Sequence, residues 1–210
     1  MRGLLVAINM LLVLVILGLV LYWHPAQEIV PASGNQLPHA VLNVPLAAPP
    51  VGGDFTLDGP AGPLALADLR GKLVLLQFGY TYCPDICPTA LSIMAQALET
   101  LTPAELAKVQ VLFVSVDPER DNVARLIEYT TFFHPSIIGL TGPVAQLTEI
   151  AGRYGAAFIR QDNVSAGGYI VDHTALTYLI DRDGRLVASL PHALPAEQLA
   201  TEMRKYLPKN

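Results

Sequence analysis

The sequence predicts an α/β domain with a mixed sheet flanked by helices, preceded by one N-terminal helix that crosses a membrane. Three observations carry this expectation. Leu73-Val-Leu-Leu-Gln-Phe-Gly79 and Val109–Val116 are continuous apolar runs, the pattern of strands buried on both faces. Amphipathic stretches alternate with such runs, and a late pair of strands and a final helix close the chain, which together imply parallel and antiparallel pairing in one sheet. The run from Gly3 to Trp23 carries no charge and matches the roughly 20 helical residues that a bilayer core requires.

Taken in order, the apolar run at 1–23 is the anchor. It is longer than the apolar core of a cleaved signal peptide, and Tyr22 and Trp23 suit the membrane interface. Arg2 is the basic residue close to it, which places the N-terminus in the cytoplasm and exports the rest. Residues 24–53 contain Pro25, Pro31, Pro38, Pro45, Pro49 and Pro50 without helical or strand periodicity, and read as an extended tether. His24 and His39 within it read as solvent-exposed.

The domain at 54–210 opens with a short strand over Asp54–Leu57 and a turn or small strand over Leu64–Leu69. After the buried strand at Leu73–Gly79, Pro88–Leu101 is helical, with Leu91, Met94, Ala95 and Leu98 on one stripe. Val109–Val116 is the second buried strand. Asn122–Phe133 forms a helix with Leu126, Ile127 and Tyr129 among its apolar positions, Ile137–Leu140 a strand, and Pro143–Tyr154 a helix with proline in its first turn. Ala175–Ile180 and Arg185–Leu190 flank the turn signal Asp181-Arg-Asp-Gly184, and Pro195–Leu207 is the closing helix.

With 210 residues the chain has room for an anchor and one domain. A formal charge of −5 with no basic stretch argues against a nucleic-acid partner. Its two cysteines, Cys83 and Cys87, are too few for a disulfide scaffold. They lie where a buried strand gives way to a helix, a location whose amide groups and dipole favour a thiolate. Three residues separate them, where thioredoxin-type oxidoreductases have two. At a helical spacing of four their Cβ atoms stand about 5–6 Å apart, wider than the roughly 3.5–4.5 Å of a disulfide. A shared metal ion tolerates the wider pair, and an unwound loop would permit the disulfide; both stay open on spacing alone.

Thiolates select soft ions, Cu(I) above all, and imidazole adds affinity for Cu(II). A closed zinc site needs four good ligands. The third donor is expected from His173, in the loop before the strand at Ala175–Ile180, because in thioredoxin-like proteins that loop faces the cysteine motif. A cis-proline usually stands there, near the position of Ala175. Asp85, between the cysteines, is expected to oppose thiolate formation without metal and to favour a bound cation. His134 and His192 read as surface residues.

These residues resemble the Sco/SenC family, thioredoxin-like copper chaperones of the respiratory chain. The resemblance runs from about Asp54 to Leu207 through Asp54-Phe-Thr-Leu57, Asp68-Leu-Arg-Gly-Lys72, Phe78-Gly-Tyr-Thr-Tyr-Cys83-Pro-Asp-Ile-Cys87-Pro-Thr89, Ser115-Val-Asp-Pro-Glu-Arg-Asp121, Leu140-Thr-Gly142 and Val171-Asp-His173. It implies Cys83, Cys87 and His173 as copper ligands, and a role in assembling the binuclear copper centre of cytochrome c oxidase subunit II. It also implies anchoring by one N-terminal helix, and the lack of an Arg/Ser-rich transit segment reads as a bacterial inner membrane with the domain in the periplasm. Another copper chaperone or a thiol–disulfide oxidoreductase would be a further partner. Asp117–Asp121 matches the family without a chemistry of its own, beyond shaping a loop after a strand.

Two enzyme readings compete with a binding and transfer protein. One is a thiol–disulfide oxidoreductase, in which Cys83 and Cys87 cycle as a redox disulfide on the oxidase subunit or in signalling. The other is a peroxidase, suggested by Thr81-Tyr-Cys83-Pro. A peroxidatic cysteine needs a low pKa and a neighbouring cation, and Asp85 carries the opposite sign.

Overall fold

The computed structural model describes residues 2–23, 49–165 and 168–207; the side chains of residues 2, 4–8, 21, 23 and 163–165 lie outside that description, as do His24, His39 and most of the expected tether. The chain divides into two compact units, Met1–Ala47 and Ala48–Asn210. In the first, α1 runs from Arg2 to Trp23, and its described apolar side chains, Met10 to Val20 and Tyr22, are exposed. Among the described residues no helix is long and apolar enough to cross a membrane; much of the first half of α1, which the anchor reading needs, has no described side chains.

The second unit begins with an antiparallel hairpin, β1 (Thr56–Gly59) and β2 (Gly62–Ala65), followed by a 3-10 turn at Leu66–Leu69. Strand β3 (Leu73–Gly79) then leads to α2 (Ile86–Glu99), a short α3 (Pro103–Leu106) and β4 (Val109–Ser115). Next come α4 (Val123–Phe133), β5 (Ile137–Leu140) and α5 (Val144–Arg153). A second hairpin, β6 (Phe158–Ser165) and β7 (Gly168–His173), precedes β8 (Leu176–Ile180), β9 (Leu186–Pro191) and α6 (Ala196–Tyr206).

Five strands form the central sheet in the order β5-β4-β3-β8-β9. β3, β4 and β5 are parallel, and β8 and β9 are antiparallel to their neighbours, so the sheet is mixed as predicted. β3 and β4 are buried at every position, because helices and loops cover both faces and leave no place for alternation. The α2 stripe Leu91, Met94, Ala95 and Leu98 is buried as its spacing requires. In α4 only Leu126 of the predicted trio is fully buried, while Ile127 is 39% exposed: one helical step of about 100° carries it off the core face.

The register assembles the site. Gly79 of β3 lies beside Ser115 of β4, so the loops after both strands leave the same edge. β8 runs the opposite way, pairing Thr177 with Gln77. The segment entering β8 therefore arrives at that edge too. Ligands of α/β sheets gather at the carboxyl ends of parallel strands, and here three separate loops converge on one.

The β6–β7 hairpin departs from the sequence reading, which leaves this stretch unassigned and puts His173 in a loop. Its strands form a separate two-stranded sheet, with an irregularity between Gln161 and Ser165. A strand is legible through a half-buried face with period two. In this hairpin Ile159, Arg160, Gln161 and Asp162 are all exposed in succession.

Candidate metal centre

The two cysteines leave the edge differently. Cys83 sits in the loop 80–85, and Cys87 lies in the first turn of α2, which starts two residues earlier than its apolar stripe suggests. Asp85 occupies the N-cap position without a side-chain cap hydrogen bond. The Cys83 sulfur serves instead, accepting from the Cys87 N–H at 3.5 Å. The first turn of the helix thus directs its orphan donors at a sulfur, which favours the anion.

Both cysteines are buried and unbridged. The Cys83 thiol is lowered to about 5, first because the Cys87 side chain donates to it, against the cost of burial, and then through the Cys87 and Asp85 amides and the His173 charge. Cys87 moves the other way: holding the shared proton, burial and the adjacent thiolate all raise it. Asp85 therefore departs from its expected role. Its amide favours the thiolate, while its exposed carboxylate accepts from Thr89 Oγ1 at 3.4 Å.

His173, the last residue of β7, brings Nε2 to 3.2 Å from Cys87 Sγ. Its Nδ1 lies 3.1 Å from the Val171 carbonyl oxygen. A carbonyl only accepts, so Nδ1 is the donor there, which fixes the ring and leaves Nε2 as the nitrogen that faces the sulfurs and can ligate a metal. Tyr80 walls the ring edge-on at 5.6 Å, and its hydroxyl accepts from the Val171 N–H at 3.3 Å.

Cys83, Cys87 and His173 hold their donor atoms within 4.8 Å of one another, and among the described residues they form the one such group able to hold a metal. Bonds of about 2.0–2.3 Å to a trigonal ion would place the donors roughly 3.8–4.0 Å apart. The site fits with donor shifts of about 1 Å or less, the Cys87–His173 pair moving apart and the widest pair closing. It opens into a cleft of about 320 Å³ lined by Pro84, Ile86 and Ile170 with Asp85 and Asp172. His134 and His192 stay outside it, and both are half-buried rather than on the surface: His134 Nδ1 meets Ser136, and His192 Nδ1 meets the Ala175 carbonyl.

Gly79 is required by this packing. A Cβ there would lie 2.6 Å from Cys87 Sγ and 2.6 Å from the Phe113 ring. Gly79→Ala is expected to cost about 1–3 kcal/mol through overpacking and to displace the Cys87 sulfur. Chemical denaturation together with a copper titration checks both; unchanged stability and affinity would contradict the close approach.

The sequence reading gives Asp117–Asp121 no chemistry, and the structure assigns it the work of holding the loops together. Asp121 is fully buried and accepts from the Thr81 N–H at 2.8 Å, Thr81 Oγ1 at 2.6 Å and Ser115 Oγ at 2.7 Å. It ties the cysteine loop to the end of β4. Asp117 pairs with Arg120 and accepts from the Tyr169 hydroxyl at 2.6 Å, reaching the hairpin that carries His173. The signal in the sequence was the density of charge directly after a buried strand.

Comparison with known proteins identifies relatives of the whole domain. The SCO1/SenC family model matches residues 44–208. The mitochondrial SCO2 homolog of Bos taurus is 39% identical over 157 residues, covering 74% of this chain but 59% of its own length, so the chain spans less than two thirds of that relative. The copper-bound structure of Bradyrhizobium japonicum ScoI is similar with a TM-score of 0.68 and 37% identity, over 75% of this chain and 99% of that one. Copper-bound yeast Sco1 gives 0.66 and 35%, over 76% and 92%. The chain belongs to the SCO1/SenC family.

Proposed function

We propose that this protein is a copper metallochaperone that carries copper on Cys83, Cys87 and His173 and delivers it to the binuclear copper centre of cytochrome c oxidase subunit II. The observation that carries the reading is the convergence of two sulfurs and an imidazole nitrogen in one group, of which Cys83 and His173 line an open cleft while Cys87 lies buried behind them. Two thiolates and one imidazole suit Cu(I) and make a neutral unit with Cu(II). Three donors leave room for an incoming thiolate of the acceptor, so the cargo can pass by ligand exchange. Copper-bound relatives support the choice of metal.

Anaerobic titration of the reduced protein with Cu(I) against a competing chelator tests this. Cys83→Ser, Cys87→Ser and His173→Ala are expected to weaken binding; wild-type affinity in all three would refute the site.

Binding should also depend on pH in a set direction. Cys87, raised above the ordinary thiol value, must lose its proton to ligate, whereas Cys83, lowered to about 5, is already a thiolate at neutrality. Apparent affinity is expected to rise about tenfold per pH unit between 6 and 8, and more steeply below pH 5, where Cys83 also binds a proton. A flat profile would contradict the assigned asymmetry.

The anchoring reading is part of the proposal. The 22 residues of α1 extend about 33 Å at 1.5 Å per residue, enough for a single pass of a bacterial inner membrane with the domain in the periplasm. Alkaline extraction should leave the full chain in the membrane fraction and release a chain lacking α1.

The asymmetric thiol pair also favours a second reading. Cys83 is the nucleophilic thiolate and Cys87 a buried thiol able to resolve a mixed disulfide, so the pair has the parts of an oxidoreductase acting on the subunit's cysteines. Fast exchange with the apo-subunit that survives His173→Ala would favour this reading over copper transfer.

A further inference from the structure

Among the described residues the β6–β7 hairpin is paired with no strand of the five-stranded sheet, yet its last residue stands with Nε2 3.2 Å from Cys87 Sγ. Backbone pairing with the sheet does not hold it, so its short link to β8 and its side-chain contacts do. Beside the buried Val171 and its hydrogen bond to Tyr80, Arg120 in the loop after β4 supplies a set of these contacts. Its Nη1 donates to the Tyr169 carbonyl at 3.0 Å. The guanidinium lies 3.6 Å from the centroid of the Tyr169 ring, 4.8 Å from that of Tyr82 and 5.5 Å from that of Tyr80. It therefore meets the hairpin, the cysteine loop and the residue that walls His173.

Tyr169 is clasped in turn. Arg160 also lies 3.6 Å from its centroid. Two guanidinium groups cannot both occupy one face at that distance, so the ring is sandwiched between them. Its hydroxyl donates to Asp117, which pairs with Arg120, and Arg160 is held by Glu119. Only a planar, delocalised cation can stack on a ring and donate in its own plane at once, which makes the position specific for arginine over lysine.

We propose that Arg120, clasped with Tyr169, is the positioning residue that sets His173 against the cysteines and so decides whether copper meets three donors or two. The proposal rests on the copper reading above and concerns what prepares the third ligand.

The test uses wild type, Arg120→Leu, Arg120→Lys, Tyr169→Leu and Tyr169→Phe, each read metal-free and copper-loaded. In the metal-free protein, amide exchange at Val171 is expected to accelerate about tenfold or more in Arg120→Leu and Tyr169→Leu, with exchange at Leu75 of the core strand unchanged. With Cu(II) loaded, the imidazole nitrogen signal in pulsed electron paramagnetic resonance should be lost in both variants, with affinity falling roughly 10–100-fold. Tyr169→Phe keeps the stack and should retain the signal; Arg120→Lys keeps the charge but not the stack and should not.

An imidazole signal retained in Arg120→Leu and Tyr169→Leu overturns the proposal, whatever the exchange rates. Full rescue by lysine overturns it as well, since charge alone would then suffice. Should Arg120→Leu also accelerate exchange at Leu75, Tyr169→Leu decides on the same readouts. A wild type without an imidazole signal refutes the copper reading instead, and the metal-free exchange rates then decide whether the clasp holds His173.

Discussion

Replacing Cys87 with alanine is expected to abolish tight copper binding and to raise the Cys83 thiol from about 5 toward the ordinary cysteine value of about 8.5. The two effects share one cause. Cys87 is a proposed ligand, and its S–H is also the largest influence holding Cys83 as a thiolate. Its loss leaves two donors, and affinity should fall by more than the roughly 10–100-fold typical of outer-shell changes. The Cys87 and Asp85 amides remain, so the Cys83 value should stop short of the ordinary one. The pH profile of alkylation in the metal-free variant reads the shift: a midpoint raised by at least about one unit is expected, and an unmoved midpoint would show that the amides alone hold the thiolate. Cys87→Ser, which keeps a hydroxyl donor, should move the midpoint less while losing copper just as severely.

Asp121→Ala is expected to be the most destabilising polar substitution in the domain. The carboxylate is fully buried and satisfies three donors, the Thr81 N–H and the hydroxyls of Thr81 and Ser115. Each donor left unsatisfied costs about 1–3 kcal/mol, and partial relaxation brings the sum to about 3–5 kcal/mol. In a domain of this size that corresponds to a fall in Tm of roughly 6–20 °C. Asp121→Asn should lose less. Its one oxygen can take the Oδ2 position, which serves both the Thr81 N–H and Ser115 Oγ, and its amide group then faces Thr81 Oγ1, whose hydroxyl must turn from donor to acceptor. Thermal unfolding of the three proteins checks the order. The surviving Asp121→Asn protein should also bind copper more weakly, because Thr81 stands two residues before Cys83.

What could be read from the sequence was what depends on neighbours along the chain. β3 and β5 have the predicted limits, and β4 ends one residue early, because their apolar runs are unbroken and bounded by turn residues. The α2 stripe was legible from its 3.6-residue period. The cysteines announced themselves by type and spacing, and His173 by its place before β8.

What could not be read depends on partners far away. Thr81 meets Asp121 at a separation of 40 residues, Arg120 meets Tyr169 at 49 and Asp117 meets Tyr169 at 52. No local period encodes such pairings, so Asp117–Asp121 read as a charged loop. The β6–β7 hairpin was invisible for the complementary reason: β6 is exposed at four positions in succession and β7 buries only Val171, so neither shows an alternating face. The direction of the Asp85 effect was misjudged because sequence displays a carboxylate and hides an amide.

The central claim is that copper sits between Cys83, Cys87 and His173. X-ray absorption at the copper edge, on wild type and His173→Ala loaded under identical conditions, tests it most directly. The account predicts two sulfurs and one imidazole nitrogen in the wild type, and loss of the nitrogen with retention of both sulfurs in His173→Ala. An identical nitrogen contribution in both proteins, or a first shell without two sulfurs, would contradict it.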